Sequence, residues 1–318
     1  MNLIEAEDAT ALFLQAADTV VRSGTPVTPR GLRTQEIYGA CLCLHQPRAR
    51  LVAGIPGRVV NPAFAAAEAV WILSGSDEPW IYEYNSNLRK YADDGVLRGA
   101  YGPRLRRWGG SVDQLARVVE TLRTDPDSRR AVIQLYNPAQ DVNTNLDVPC
   151  TLGFRFHLRD GKLMMTTTMR SQDVWLGLPY DLFTFTIIQE LMAGWLGVEV
   201  GDYHHQVDSL HLYEPDLARA RELGALPEAH GRQMESLAID WDEFDRALSA
   251  VLDGEKVGHP GWDAFSDVLR AYRLWRGGDI GEGRTVAAET GQVFAPALVD
   301  WFGELTARRG LASTTTVR

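Results

Sequence analysis

Apolar positions recur with helical spacing over residues 4–22, and Gly24 closes that segment. The stretch TQEIYGACLCL (34–44) reads as a strand. PAFAAAEAVWILS (62–74) is apolar on nearly every face and predicts a buried helix, with Pro62 near its start and Gly75 at its end. One glutamate, Glu68, interrupts it. SVDQLARVVETLRTDP (111–126) is an amphipathic helix with Ser111 as its cap and Pro126 beyond its end. Residues 129–137, 151–160 and 162–171 read as strands, the last two joined by the hairpin signal Asp160-Gly161. Residues 181–197 are apolar almost all round and predict a central helix. A strand follows at 200–213, and from 214 onward the text is helical: EPDLARARELG, DEFDRALSAVL, WDAFSDVLRAYRLWR and a final run over 285–310. The last eight residues, LASTTTVR, are expected to fray. No repeat or linker breaks the chain. The pattern predicts one α+β domain over 1–318, with its core at about 25–215 and a helical region at 216–310.

Composition narrows the function classes. Of 318 residues, 45% are apolar and 23% charged, a soluble globular profile. No run approaches the ~20 apolar residues that span a bilayer. The acidic start lacks the basic region of a secretory signal. A net charge of −10 argues against a nucleic-acid surface, yet it allows a small anion held by a local arginine cluster. The three cysteines, Cys41, Cys43 and Cys150, show no disulfide framework, which points to a reducing cytoplasm. Cys41 and Cys43 share one strand face and read as inert packing. His204-His205 has no metal-like partner spacing, and no metal is expected.

Cys150 stands apart, following Pro149 at the mouth of a predicted strand. It is either a buried strand cysteine or a nucleophile whose thiolate needs nearby positive charge, from Arg170 or from Arg129-Arg130. Those arginine pairs suit either a solvated face or an anion, and Arg170-Ser171 suits a phosphate. Glu68 is costly to bury unless paired or protonated, and burial suits a carboxyl to acid/base work. Asp181 heads the central helix and reads as an N-cap on its own. His211 and Tyr213 alternate on one strand face, as core polar groups or as partners of a sugar hydroxyl.

Taken in order, EAVWILSG (68–75), YG (101–102), DPDSRR (125–130), VPC (148–150), DGKL (160–163), RSQDVWLGLPYD (170–181), VGDY (200–203) and HLY (211–213) resemble the thymidylate synthase family. The resemblance implies an α/β domain with a mixed sheet flanked by helices, which pairs back to back in a homodimer. It implies that Cys150 adds to C6 of a pyrimidine nucleotide and that Glu68 is the general acid/base. 5,10-Methylenetetrahydrofolate would be the carbon donor. Arg170 and Ser171 match phosphate ligands of the same subunit. Arg129 and Arg130 match the pair that reaches the other subunit's phosphate, and either Arg30 or Arg33 completes the cluster. His211 and Tyr213 match ligands of the sugar. Asp173, Tyr101 and Gly177 fall at folate-side positions.

Asp181 sits where synthases carry an asparagine that reads uracil. In this family an aspartate there marks the cytidylate hydroxymethylases, because a carboxylate accepts from the N4 amino group and balances a proton at N3. Thr151, Met169, Leu88 and Tyr91 also depart from the synthase pattern, and the short apolar tail that seals the folate is replaced. A less sealed site would admit water to the C5 methylene in place of hydride. The expectation is therefore C5 hydroxymethylation of dCMP or CMP. Thymidylate- or uridylate-type methylation is the first alternative, and a non-catalytic nucleotide-binding relic the second.

Overall fold

The computed structural model describes residues 2–142, 144–224 and 229–315, with side chains through residue 308. The chain opens with strand β1 (Asn2–Ala6), not with helix. Ile4 and Ala6 point inward, and β1 lies parallel to a later strand, pairing Ile4 with Leu42. The helix expected over 4–22 starts only at α1 (Ala9–Ser23), where the Asp8 carboxylate accepts from the Ala11 N–H at 2.9 Å. Strands β2 (Thr25–Val27) and β3 (Thr34–Leu44) follow, then α2 (Pro62–Leu73). Asn61 caps α2 by accepting from Phe64 N at 3.0 Å. A short α3 (Tyr101–Arg106) precedes α4 (Gln114–Thr124). The cap of α4 is Asp113, because Val112 pairs with Trp108 and holds Ser111 outside the helix.

The strand expected over 129–137 shrinks to β4 (Val132–Gln134), which leaves Arg129 and Arg130 in the preceding loop. The expected hairpin is present as β5 (Thr151–Arg159) and β6 (Lys162–Met169), turning at Asp160-Gly161. A two-residue strand, β7 (Gln172–Asp173), leads to α5 (Leu178–Leu196) and β8 (Glu199–Tyr213). Helices α6 (Glu214–Leu223), α7 (Trp241–Asp253), α8 (Pro260–Gly277), α9 (Ile280–Glu289) and α10 (Gly291–Thr315) complete the chain. The final helical run divides at Gly291, whose φ of +87° needs a residue without Cβ. The backbone of α10 stays helical to Thr315, into the tail that was expected to fray. The tail's last residues, 316–318, lie outside the described residues.

The strands form one mixed eight-stranded sheet in the order β1-β3-β8-β6-β5-β4, with β2 beside β3 and β7 beside β8. β3 and β8 are antiparallel, whereas β6 and β7 run parallel to β8. Strict alternation on β6 and β8 puts Met165, Thr167, Met169, Tyr203, His205 and Val207 on the helix-covered face. The opposite face is polar, and there Arg155 reaches Gln206 at 2.8 Å. Cys43 also lies on that side. Burial, with the charges of Asp202, Glu5 and Cys41, pushes its thiol up to about 12, so it stays protonated at neutral pH.

α1 and α5 lie on the sheet, α2 lies on α5, and α7, α8 and α10 pack on α2. Phe183 of α5 stacks on Phe265 at 5.9 Å and meets Phe294 edge-on at 6.2 Å. One apolar core therefore runs from Ile4 to Phe302, and the C-terminal helices belong to it. Arg50 and Glu190 form a buried ion pair beneath it, with the Leu237 N–H as a further donor to Glu190 at 3.1 Å. Among the described residues no helix is long and apolar enough to cross a membrane. Phe265→Ala should cost about 3–5 kcal/mol in urea unfolding, since it empties the joint between α5 and the C-terminal layer.

Candidate active site

Cys150 at the mouth of β5, Asp181 at the start of α5 and Glu68 in the middle of α2 are each partly accessible. The Asp181 charge acts on both of the others, so the three line the candidate cleft. Cys150 immediately precedes β5, where the pairing with β6 slips between Thr151 and Gly153. Such a bulge turns the strand and re-aims the residue at its mouth. Arg170 holds this mouth closed. Its backbone N–H donates to Cys150 O at 2.9 Å, and its guanidinium donates to Pro149 O at 2.9 Å and Val148 O at 2.8 Å. The guanidinium is exposed, so its remaining N–H groups face solvent.

Cys150 remains partly accessible although protein surrounds it. Burial raises its thiol pKa above the ordinary value. Arg170 pulls it down, Asp181 and Asp147 push it up, and Arg30 pulls it down. Tyr101, at the start of α3, accepts from Thr151 N at 3.2 Å and Thr151 Oγ1 at 3.0 Å. Its phenol is thus tied to Thr151, the residue that follows Cys150.

Glu68 lies mid-helix between Ala67 and Ala69, both fully buried, yet it remains partly accessible. Burial first, and then the Asp181 charge, push its carboxyl up to about 8. Asp181 is raised to about 7 by burial, with a hydrogen bond from Gln172 pulling down and Asp173 pushing up. Asp181 is not the helix cap. α5 begins at Leu178 with Pro179 in its first turn, so Asp181 projects sideways from that turn into the cleft. Its Oδ2 accepts from Gln172 Nε2 at 2.8 Å. Tyr180, beside it, accepts from Asn61 N at 3.1 Å and packs edge-on to Phe64 at 4.8 Å. That contact ties the start of α2 to the start of α5 and sets the two carboxyl groups against each other.

Asp173 builds the turn before α5. Its Oδ1 accepts from Trp175 N at 2.7 Å and Leu176 N at 3.0 Å, and its backbone O accepts from Gly177 N at 3.1 Å. Gly177 has no room for a side chain, because a Cβ would stand 2.8 Å from Gln172 Nε2. His211 pairs with Asp173 in register and meets the Tyr213 ring edge-on at 5.1 Å. Burial raises the Tyr213 pKa, and Arg30 lies close enough to the hydroxyl to pull it down. Arg30 has a left-handed backbone, φ 51°, in the turn Pro29–Gly31, and it acts on both Tyr213 and Cys150. Arg33 instead pairs with Glu214 at 3.4 Å on the surface. Arg30, Arg170 and the half-buried Ser171 therefore flank the cleft. Arg129 and Arg130 are exposed, outside the set of charges that bear on Cys150.

Sequence reading missed a buried polar chain behind Asp181: Gln172, His205, Tyr203 and Thr167. The strict alternation of 199–213 puts Tyr203 and His205 on the buried face, which was the available signal.

A sequence profile described as "Thymidylate synthase" matches residues 12–243. The chain belongs to the thymidylate synthase family. A deoxyuridylate hydroxymethyltransferase of Bacillus phage SP01 is 41% identical over 230 residues, which cover 68% of this chain. The same alignment spans 60% of that relative's own length. Within the family frame, the paired carboxyls have a measurable consequence. A buried carboxyl whose pKa rises on folding binds a proton that the unfolded chain has released, so stability falls as pH rises from the unfolded value to the folded one. For Glu68 that window runs from 4.5 to about 8. Glu68→Gln should therefore gain on the parent protein through this window, by an amount on the order of a few kcal/mol above it, read as the difference in Tm between pH 5 and pH 9.

Proposed function

We propose that this protein adds a hydroxymethyl group to C5 of a cytidine 5′-monophosphate, ribo or deoxy, with 5,10-methylenetetrahydrofolate as the carbon donor. The observation that carries the reading is Asp181: an ionisable carboxyl in the cleft that holds Cys150 and Glu68, at a position where an amide would read uracil. Its oxygens accept from the N4 amino group of cytosine, and its charge balances a proton at N3. Addition at C6 places negative charge in the ring, and a protonated N3 stabilises that adduct.

In this reading Cys150 Sγ bonds to C6 and the displaced electron pair makes C5 nucleophilic. The folate supplies a methylene group at the oxidation level of formaldehyde. C5 then loses its proton, the tetrahydrofolate leaves, and water adds to the C5 methylene before the C6–S bond breaks. The product is 5-hydroxymethylcytidylate, and no hydride is consumed. Glu68, protonated near neutral pH, serves as the acid toward the leaving group and orders water as its conjugate base. Arg170, Ser171 and Arg30 hold the phosphate, and His211 and Tyr213 hold the sugar. Asp173 suits a pterin edge: both turn N–H groups go to Oδ1, which leaves Oδ2 for a ring N–H. The phosphate cluster is completed in a homodimer. The polar, helix-free sheet face is the surface for pairing, and a second copy would bring its Arg129 and Arg130 to this site. The site needs neither a metal nor a nucleic acid, and the enzyme would work in the cytoplasm.

A second reading has one specific support, the deoxyuridylate hydroxymethyltransferase relative. A protonated Asp181 offers one donor and one acceptor and can meet O4 and N3–H of uracil. The chemistry at C5 would be the same and only the base would change.

The discriminating experiment offers CMP, dCMP, UMP and dUMP in turn, with methylenetetrahydrofolate, and weighs the products. A gain of CH₂O on a cytosine nucleotide is expected. A gain of CH₂O confined to uracil nucleotides selects the second reading, and a gain of CH₂ with dihydrofolate released refutes hydroxymethylation. Cys150→Ala should abolish both product and tritium release from C5. Asp181→Asn should move the cytosine-to-uracil preference in kcat/KM by about tenfold or more toward uracil, the scale of one misread hydrogen-bond pattern.

A further inference from the structure

We infer that Gln172, held in one orientation by His205 and Tyr203, fixes which oxygen of Asp181 can carry a proton and so sets the donor and acceptor order the cleft offers to a pyrimidine edge. The inference deepens the reading of Asp181 given above and rests on it for its consequence, though not for its geometry.

Gln172 is buried on β7, and its amide nitrogen has two acceptors, Asp181 Oδ2 at 2.8 Å and Asp173 O at 3.2 Å. Turning the amide over would set its oxygen against both of those oxygens. The NH₂ end is therefore fixed, and Oε1 faces His205 Nε2 at 2.8 Å. That nitrogen must carry the imidazole's hydrogen. His205 has no exposure and stacks on Phe185, with ring centres 6.3 Å apart. Burial pulls its pKa down to about 3, so the ring is neutral and has one N–H to give. Nδ1 is then bare and accepts from the Tyr203 hydroxyl, 2.8 Å away. The Tyr203 oxygen in turn lies 2.8 Å from Thr167 Oγ1, whose hydrogen it can take. Thr167 and Tyr203 are fully buried, so no solvent competes.

The hydrogens thus point one way, from Thr167 through Tyr203, His205 and Gln172 to Asp181. Reversing any member reverses the rest and ends with an amide oxygen against a carboxyl oxygen. Oδ2 of Asp181 always receives an N–H. A proton on Asp181 sits on Oδ1, and the Gln172 N–H favours the ionised form against the burial that opposes it.

The other groups facing Asp181 act the opposite way or carry no charge. Glu68 on α2 and Asp173 on β7 are carboxyls, and Cys150, Tyr101 and Tyr203 are acids whose ionisation Asp181 opposes. Gln172 is the group that favours the charge. Gly177 belongs to the device as well, since a Cβ there would stand 2.8 Å from Gln172 Nε2 and 3.4 Å from Asp181 Oδ2. Gln172 and His205 are positioning residues, acting on the base through Asp181.

The test uses the full chain in three variants. Gln172→Met keeps the bulk and removes the donor. Gln172→Glu supplies a donor only while it is protonated. Tyr203→Phe removes one hydroxyl at the far end and is the mildest. The infrared band of the protonated carboxyl, assigned by its loss in Asp181→Asn, is followed against pH without substrates. It should persist to higher pH in Gln172→Met by about one unit, the scale of one hydrogen bond to a carboxylate, with a smaller shift of the same sign in Tyr203→Phe. The acid limb of kcat/KM should move with the band. The preference between cytosine and uracil nucleotides should narrow about tenfold, carried by KM and not by kcat. Gln172→Glu should match the parent at acid pH and lose the preference as pH rises. A band that stays in place in Gln172→Met overturns the relay, whichever nucleotide the cleft takes. A band that moves while the nucleotide preference holds overturns the base-reading role of Asp181, and the specificity role of Gln172 with it.

Discussion

The constraint that organises this molecule is the presence of two carboxyl groups, Glu68 and Asp181, in a cleft walled by two helices with almost no polar face. Helices α2 and α5 are apolar all round because each is buried on every side, α5 between sheet and helices and α2 between α5 and the C-terminal layer. A medium of that kind does not hold two negative charges side by side. The protein resolves the conflict asymmetrically. Asp181 receives an amide N–H and, among the described residues, Glu68 has no comparable donor, so Glu68 keeps its proton to higher pH than Asp181 does. The two carboxyls thus titrate apart, the asymmetry on which the proposed roles of Glu68 as acid and Asp181 as acceptor depend. The C-terminal helices, remote from the chemistry, make this possible by keeping α2 out of water.

Much of this was legible in the chain. The period-2 patterns of 151–160, 162–171 and 200–213 and the two apolar helices place Cys150, Glu68 and Asp181 at element boundaries or mid-helix, where a polar residue is conspicuous. The illegible parts share a physical cause, which is that they are decided by partners far away in sequence. β1 is five residues long and becomes a strand only because β3 lies beside it. Asp181 looked like a cap because it heads an apolar run, yet Leu178 and Pro179 already form the first turn and the cap role lapses. Arg30 and Arg33 are indistinguishable in PRGLRT. The left-handed backbone at Arg30 separates them, and that backbone is set by the tight turn through Gly31. The relay from Thr167 to Asp181 joins four segments through the parallel pairing of β6 and β7 with β8, and no periodicity within one segment encodes register between two.

On the reading proposed for Asp181, the same electrostatics couple base recognition to the nucleophile. The resting thiol of Cys150 is raised chiefly by burial, and the Asp181 charge adds to that. Arg170 and Arg30 oppose it, but in the proposed reading both bind the phosphate, so a bound phosphate would offset part of their pull. Phosphate binding alone therefore leaves Cys150 less reactive. The missing stimulus comes from the base. When Asp181 shares its charge with a protonated N3, the negative field on the thiol is cancelled at the moment the ring becomes a better electrophile at C6. A nucleotide with the wrong hydrogen-bond pattern leaves that field in place, and the sulfur stays protonated beside it. Discrimination then acts on the formation of the thiolate as well as on affinity, which is how a single buried carboxylate can separate bases that differ at one exocyclic atom and one ring proton.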